Sequence, residues 1–171
     1  MDLIEIAQNI LRDCLDAKQG EEVLIVTDDS RVDIAQALYE GAGNLGCEAM
    51  MMVMKERELN GQEPPKAVAE AMKAADIVIC PTAKSLTHTN ARIRAAETGT
   101  RVATMPGITE KMFSQGAMTA DYAAVEQLTA RITGMLTASK TARIEKDGCV
   151  LTLNLDGRKG VPSPGVYRKP G

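Results

Sequence analysis

The residue types best suited to chemistry in this chain lie in one short loop. Thr82, Lys84, Ser85 and His88 bring two hydroxyl groups, an amine and the only histidine of the chain. These groups can hydrogen-bond to a ligand, and the amine adds positive charge. The sequence therefore predicts that Thr82, Lys84, Ser85 and His88 form a polar, substrate-binding wall. The other interpretation, in which the loop only caps the helix that follows it, is about equally well supported.

Catalysis by the loop alone is not indicated. Ser85 and His88 are three residues apart, but no strand–elbow motif surrounds the serine and no third group orients the histidine. A metal site gathers several His, Cys or carboxylate ligands, which one histidine does not supply. The start of the next helix offers backbone N–H groups, so a small anion is one candidate ligand.

The elements on either side of the loop place it at the edge of a sheet. The apolar run 77–80 predicts a strand buried on both faces, ended by Pro81 because proline lacks the N–H that a sheet requires. Residues 91–97 predict a helix ended by Gly99. Open α/β sheets bind ligands at the carboxyl ends of their strands, where this loop would lie.

The rest of the chain repeats this strand–helix order, which is typical of a parallel sheet with right-handed crossovers. We expect a three-layer, Rossmann-like α/β fold followed by a C-terminal β-hairpin around Asp147-Gly148. Ser30, Thr109 and Thr119 are the expected helix caps. The expected domains are residues 1–140 and 141–171. The expected strands are residues 23–26, 47–54, 77–80 and 101–105, and loops 27–30 and 105–109 should reach the same crevice as the polar loop.

Two further motifs have plain structural interpretations. Gly41, Gly43 and Gly46 match G-x-G-x-x-G, but they close a helix instead of opening one, so we expect close packing and a left-handed cap. Asp28 and Asp29 follow a strand and could hold Mg²⁺, but a turn with a helix cap is the better-supported role of such a pair.

Composition excludes several classes of function. The net charge is −3, and one Phe, three Tyr and no Trp leave little for stacking on bases, so no nucleic-acid partner is expected. No run is apolar enough for a membrane span and the first residues do not form a signal peptide, so no membrane partner is expected. Four unpaired cysteines in apolar surroundings favour a cytoplasmic location.

Three segments resemble a known family. Residues 75–92, 101–113 and 116–122, together with 157–160, are similar to the thermophilic-type metalloaminopeptidases: aminopeptidase T, aminopeptidase S and the related leucyl aminopeptidase. The resemblance implies the amino-terminal domain of a cytoplasmic, homodimeric enzyme that removes N-terminal residues from peptides with two divalent metals, cobalt or zinc. The same family has a branch that opens dihydroxypyridine rings with Fe(II).

In that family the carboxyl-terminal half holds the metals, and residues 1–171 do not extend into it. We therefore expect no metal ligand and no activity in this chain by itself. Two alternatives to the aminopeptidase interpretation remain open. One is a domain of the ring-cleaving dioxygenase branch, and the other is a non-catalytic module that binds a small anion near Lys84.

Overall fold

A four-stranded parallel sheet forms the centre of the protein. The computed structural model describes residues 2–170. The strands lie in the order β2-β1-β3-β4, and all three pairings are parallel. The predicted parallel α/β fold is confirmed. The strands are β1 Glu22–Asp28, β2 Glu48–Met54, β3 Ile77–Thr82 and β4 Arg101–Pro106.

Helices cover both faces of this sheet and make the three expected layers. Helices α1 and α2 pack together on one face, and α3 packs with α4 on the other. The helices are α1 Leu3–Asn9, which continues as a π-helical turn Ile10–Cys14, α2 Val32–Asn44, α3 Lys66–Ala74, α4 Asn90–Glu97, α5 Glu110–Ser114, a 3₁₀ turn Gly116–Thr119, and α6 Tyr122–Ala138.

Successive side chains of each strand point to opposite faces of the sheet, so the core has one part on each face. Val78 and Cys80 of β3 belong to the cluster that α3 and α4 cover, which also contains Leu24, Val26, Met72 and Val102. Ile77 and Ile79, which point to the other face, are fully buried as well. All six residues of β3 are buried, which explains the unbroken apolar run in the sequence.

Proline does not end β3 at residue 80, so that expectation is wrong. The strand continues through Pro81 to Thr82, and Pro81 pairs with Met105 of β4. The backbone pairing between β1 and β3 ends two residues earlier, at Ile79. The carbonyl of Pro81 accepts a hydrogen bond from Thr27 Oγ1 of β1 at 2.8 Å. A side chain thus replaces the backbone contact on the side where proline has no N–H to give.

The glycine motif packs helices, as expected. A Cβ on Gly41 would lie 2.9 Å from Ala7 Cβ, so glycine lets α2 approach α1 closely, and Gly46 ends the helical segment with φ at +78°. Of the expected caps, Thr109 is confirmed, since its hydroxyl accepts from Met112 N at 3.2 Å. Ser30 and Thr119 are wrong, because α2 has no side-chain cap and Asp121 caps α6.

The chain forms two compact units. One runs to Ala120 and includes the residues from Tyr167 onward, and the other is Asp121–Val166. The second contains α6 and the expected hairpin, β5 Thr141–Lys146 and β6 Cys149–Asn154, whose turn residues have φ of +50° and +78°. The division into residues 1–140 and 141–171 stays a prediction. Within residues 2–170, no helix combines the length and apolarity needed to cross a membrane.

Candidate functional site

Three loops meet where the strand order reverses. Strand β2 lies on one side of β1 and strand β3 lies on its other side. The loops after β1 and β3 therefore face each other at the end of the sheet where the strands have their carboxyl ends, which we call the carboxyl edge. Ala83 N donates to Asp28 Oδ2 at 2.6 Å across this boundary. Gly107 N, after β4, donates to the carbonyl of Thr82 at 2.8 Å. The loops after β1, β3 and β4 are therefore joined by hydrogen bonds at this edge, and the crevice expected there stays a prediction.

Asp28 is a buried residue whose side chain connects the loop after β1 to the loop after β3. The residue is only 1% exposed. Besides the bond from Ala83, its Oδ1 accepts from Ser30 N at 3.1 Å and from Ser30 Oγ at 2.7 Å. Three donors therefore satisfy a carboxylate that burial would otherwise penalise. The expected turn is present at this position, and it also holds the β3 loop in place.

The four residues of the predicted wall occupy different environments. Thr82 is 1% exposed, and its hydroxyl donates to the carbonyl of Lys84 at 2.7 Å, so this hydroxyl stabilises the loop. Lys84 and Ser85 are half-buried and His88 is exposed. The structure brings Lys84, Ser85 and His88 to the carboxyl edge, and their role in binding a substrate stays a prediction.

A chain of hydroxyl groups joins the β3 loop to β4. Ser85 Oγ donates to Thr87 Oγ1 at 3.0 Å, and Thr87 Oγ1 lies 2.8 Å from Thr104 Oγ1. The backbone N–H of Thr87 donates to Ser85 Oγ at 3.2 Å. Sequence analysis missed Thr104, which lies within a predicted strand. Its only signal was a hydroxyl near the carboxyl end of an otherwise apolar run.

The segment 55–64 between β2 and α3, which we call the strap, lies across the same edge. Asn60 Oδ1 accepts from Ser85 N at 2.8 Å, and Gly61 N donates to the carbonyl of Ser85 at 2.8 Å. Lys55 Nζ pairs with Asp29 Oδ2 at 2.8 Å. The strap therefore ties to the loops after β1 and β3. Sequence analysis did not identify these contacts.

Glu63 of the strap occupies the start of α4. One carboxylate oxygen accepts from Asn90 N at 2.6 Å and from Asn90 Nδ2 at 3.0 Å, and the other accepts from Ala91 N at 3.1 Å. Thr89 accepts from Arg92 N at 3.2 Å. These N–H groups were expected to favour an anionic ligand. An external anion would have to displace Glu63, which weakens the anion-binding interpretation.

Among residues 2–170, Asp28, Asp29 and Glu56 form one group of carboxylates whose oxygens lie within 4.8 Å of one another. Asp28 and Asp29 already have protein partners. Lys55 and the N–H of Glu56 hold the pKa of Asp29 below its usual value. Glu56 Oε2 lies 3.0 Å from Ser30 Oγ, whose single proton goes to the nearer Asp28 Oδ1 at 2.7 Å. The cluster thus carries no assignment to a particular metal.

These donors do not fit the ferrous sites typical of non-haem oxygenases. Such a site takes two histidines and one carboxylate, whereas this chain contains one histidine. The oxygen-only cluster instead has ligands of the kind that Mg²⁺ and Ca²⁺ prefer. The chain by itself therefore does not supply the ligand set of such a ferrous centre.

Comparison with known proteins gives the family. The family model described as NicX, 2,5-dihydroxypyridine 5,6-dioxygenase, matches residues 2–171. The chain belongs to the NicX family. A search of curated protein sequences returned no match.

Two solved structures share the fold of this NicX family member. The 2,5-dihydroxypyridine dioxygenase of Pseudomonas putida KT2440 is 15% identical, with a TM-score of 0.73 over 98% of this chain and 51% of that one. AmpT of Thermus thermophilus is also 15% identical, with a TM-score of 0.58 over 89% of this chain and 53% of that one. The chain spans about half the length of either structure.

The expectation of a metalloaminopeptidase is wrong. The family model names a dioxygenase, and the TM-score is higher for the dioxygenase than for AmpT. The description of the family model is that of an oxidoreductase and not of a peptidase. The segments that carried the resemblance include β3, β4 and their loops, which are parts of a fold that AmpT shares. Similarity there identifies an aminopeptidase-like fold without identifying the reaction.

Proposed function

We propose that this chain is the α/β domain of a ring-cleaving dioxygenase that acts on a dihydroxypyridine. The observation that carries the proposal is the family match along residues 2–171. Similarity to the solved dioxygenase over 98% of the chain supports it. The expected reaction is an oxidation in which both atoms of dioxygen enter the ring as it opens.

In this proposal the domain supplies a wall of the substrate pocket and leaves the metal ligands to residues outside the chain. The Fe(II) implied by the dioxygenase branch has no matching donor set here, because the chain has a single histidine. The chain's own residues bind and orient the ring. The imidazole of His88 can donate or accept a hydrogen bond, and the amine of Lys84 favours a ring oxygen that carries negative charge.

The expected partners and location also remain proposals. A homodimer, a cytoplasmic location and the absence of nucleic-acid and membrane partners rest on the sequence alone. Light scattering on the natural gene product measures the first of these directly. A mass of two chains supports the homodimer, and a mass of one chain contradicts it.

The experiment that tests the proposed function uses the natural gene product that contains this chain. The protein is loaded with Fe(II) and mixed with 2,5-dihydroxypyridine in aerated buffer, and dioxygen uptake is followed beside loss of the substrate. We expect uptake to equal substrate loss, and we expect His88→Ala to reduce turnover while Glu58→Ala, in the exposed strap, does not. Failure of the iron-loaded protein to consume dioxygen with this substrate would overturn the proposal.

A further inference from the structure

The hydroxyl chain at the carboxyl edge has one proton more than it uses. Ser85, Thr87 and Thr104 each carry a single hydroxyl proton. Ser85 donates its proton to Thr87, and one proton lies between Thr87 and Thr104. The third proton belongs to Thr87 or Thr104, and no acceptor among residues 2–170 is hydrogen-bonded to it. One donor is therefore available to a ligand.

The direction of the chain assigns that donor to Thr104. The N–H of Thr87 donates to Ser85 Oγ at 3.2 Å, and Ser85 Oγ in turn donates to Thr87 Oγ1. Each donation polarises the next hydroxyl, so a chain that runs in one direction is the stronger arrangement. In the one-directional arrangement Thr87 donates to Thr104, and the hydroxyl proton of Thr104 is the one that has no acceptor among residues 2–170.

Thr104 is placed where a ligand can reach it. It is half-buried, lies opposite Cys80 in the register of β3 and β4, and comes shortly before β4 ends at Pro106. Its bonded neighbour Thr87 is adjacent in sequence to the exposed His88. The free hydroxyl donor therefore lies at the same carboxyl edge as the predicted wall.

We propose that Thr104 is a specificity-determining residue that donates its hydroxyl proton to an oxygen on the ring of a hydroxylated aromatic ligand. This inference rests on the proposed function and names the group by which the site distinguishes a dihydroxypyridine from a ring with fewer oxygens. A site built to hydrogen-bond a particular oxygen discriminates against the analogue that lacks it, because the buried donor is then left unpaired.

The test measures binding by calorimetry without dioxygen, using the natural gene product and three ligands: 2,5-dihydroxypyridine, 2-hydroxypyridine and 3-hydroxypyridine. Thr104→Val keeps the shape and the β-branched side chain but removes the donor. Thr104→Ser keeps the donor. Thr98→Val is the matched control, because it removes a hydroxyl that bonds to the carbonyl of Ala95 at the other end of α4.

We expect Thr104→Val to weaken binding of 2,5-dihydroxypyridine by about 10-fold, the loss of one hydrogen bond. Thr104→Ser and Thr98→Val should bind as the wild type does. One of the two monohydroxypyridines lacks the oxygen that Thr104 contacts, and that analogue should bind equally to wild type and Thr104→Val. If Thr104→Val does not fold, Thr104→Ala replaces it in the same series.

The outcomes that would overturn each proposal are distinguishable. Equal affinity of wild type and Thr104→Val for 2,5-dihydroxypyridine overturns this inference and leaves the proposed function standing. An equal loss for both monohydroxypyridines also overturns it, because a general disturbance of the site would do that. Binding that depends on Thr104 without any ring opening supports the inference and overturns the proposed function. No binding of any of the three ligands to the wild type overturns both.

Discussion

At the scale of single residues, Asp28 decides whether the site loops hold together. Its two carboxylate oxygens accept three hydrogen bonds while the residue is 1% exposed. In Asp28→Asn one oxygen becomes an NH₂ group that faces a donor. We expect the free energy of unfolding to fall by about 2 kcal/mol, the cost of an unsatisfied buried donor. Urea unfolding monitored by circular dichroism measures it.

Asp29→Asn is the matched control for that experiment. Asp29 is the neighbouring acid, but its side chain is about half exposed and pairs with the exposed Lys55. Exposed ion pairs contribute little to stability, so this variant should shift the urea midpoint far less than Asp28→Asn. Equal shifts in the two variants would contradict the role assigned to Asp28.

Cys80 predicts a dependence of stability on alkaline pH. Burial raises the pKa of its thiol to about 12 in the folded chain, against 9.0 for an ordinary cysteine. The unfolded thiol therefore loses its proton first as the pH rises. Its contribution to stability is complete below pH 9 and is lost progressively between pH 9 and 12, by about 1 kcal/mol at pH 10.

Urea unfolding at pH 7 and pH 10 measures this dependence. Cys80→Ala should lose less stability between the two pH values than the wild type. Cys149→Ser is the matched control, because it removes a thiol that lies on the surface and not in the core, and it should show the pH dependence of the wild type. The same pH dependence in Cys80→Ala and wild type would be inconsistent with a protonated buried thiol.

At the scale of elements, the strap fixes the start of α4 through Glu63. Glu63→Ala removes an acceptor from two backbone N–H groups and one side-chain amide. We expect a loss of about 1 kcal/mol, as for other helix-capping groups, and faster hydrogen exchange at the amides of Asn90 and Ala91. Hydrogen exchange read by NMR distinguishes this local effect from general destabilisation.

Glu58→Ala provides the comparison within the strap. Glu58 is exposed, and its backbone N–H donates to Gln62 Oε1, a bond that survives when the side chain is shortened. This variant should leave exchange at Asn90 and Ala91 unchanged. Protection of those two amides in Glu63→Ala that equals the wild type would exclude Glu63 as the group that holds α4.

The elements themselves could be predicted from the sequence because buried strands and packed helices leave a periodic apolar pattern. The end of β3 could not be predicted in this way, because the hydroxyl of Thr27, on another strand, donates to the carbonyl of Pro81 where the backbone pairing has ended. The contacts of the strap could not be predicted from the sequence either. Glu63 and Asn90 lie 27 residues apart and Asp28 and Ala83 lie 55 apart, and no spacing rule links polar residues across such distances.

At the scale of the whole molecule, the sequence predicted where the polar loop lies in the fold, but it did not identify the reaction. Parallel topology alone placed Ser85 and His88 at the carboxyl edge, where the structure has them. The motifs quoted for the aminopeptidases lie in a fold that AmpT and the dioxygenase of Pseudomonas putida both resemble. One fold supports several chemistries, so shared fold segments did not separate the two reactions.

The most direct test of the central claim is isotope labelling of the product. The natural gene product, loaded with Fe(II), is given 2,5-dihydroxypyridine under ¹⁸O₂, and the product is analysed by mass spectrometry. We predict a ring-opened product that carries two ¹⁸O atoms from one dioxygen molecule. A product with no ¹⁸O, or recovery of the intact ring, would contradict the assignment of this chain to a ring-cleaving dioxygenase.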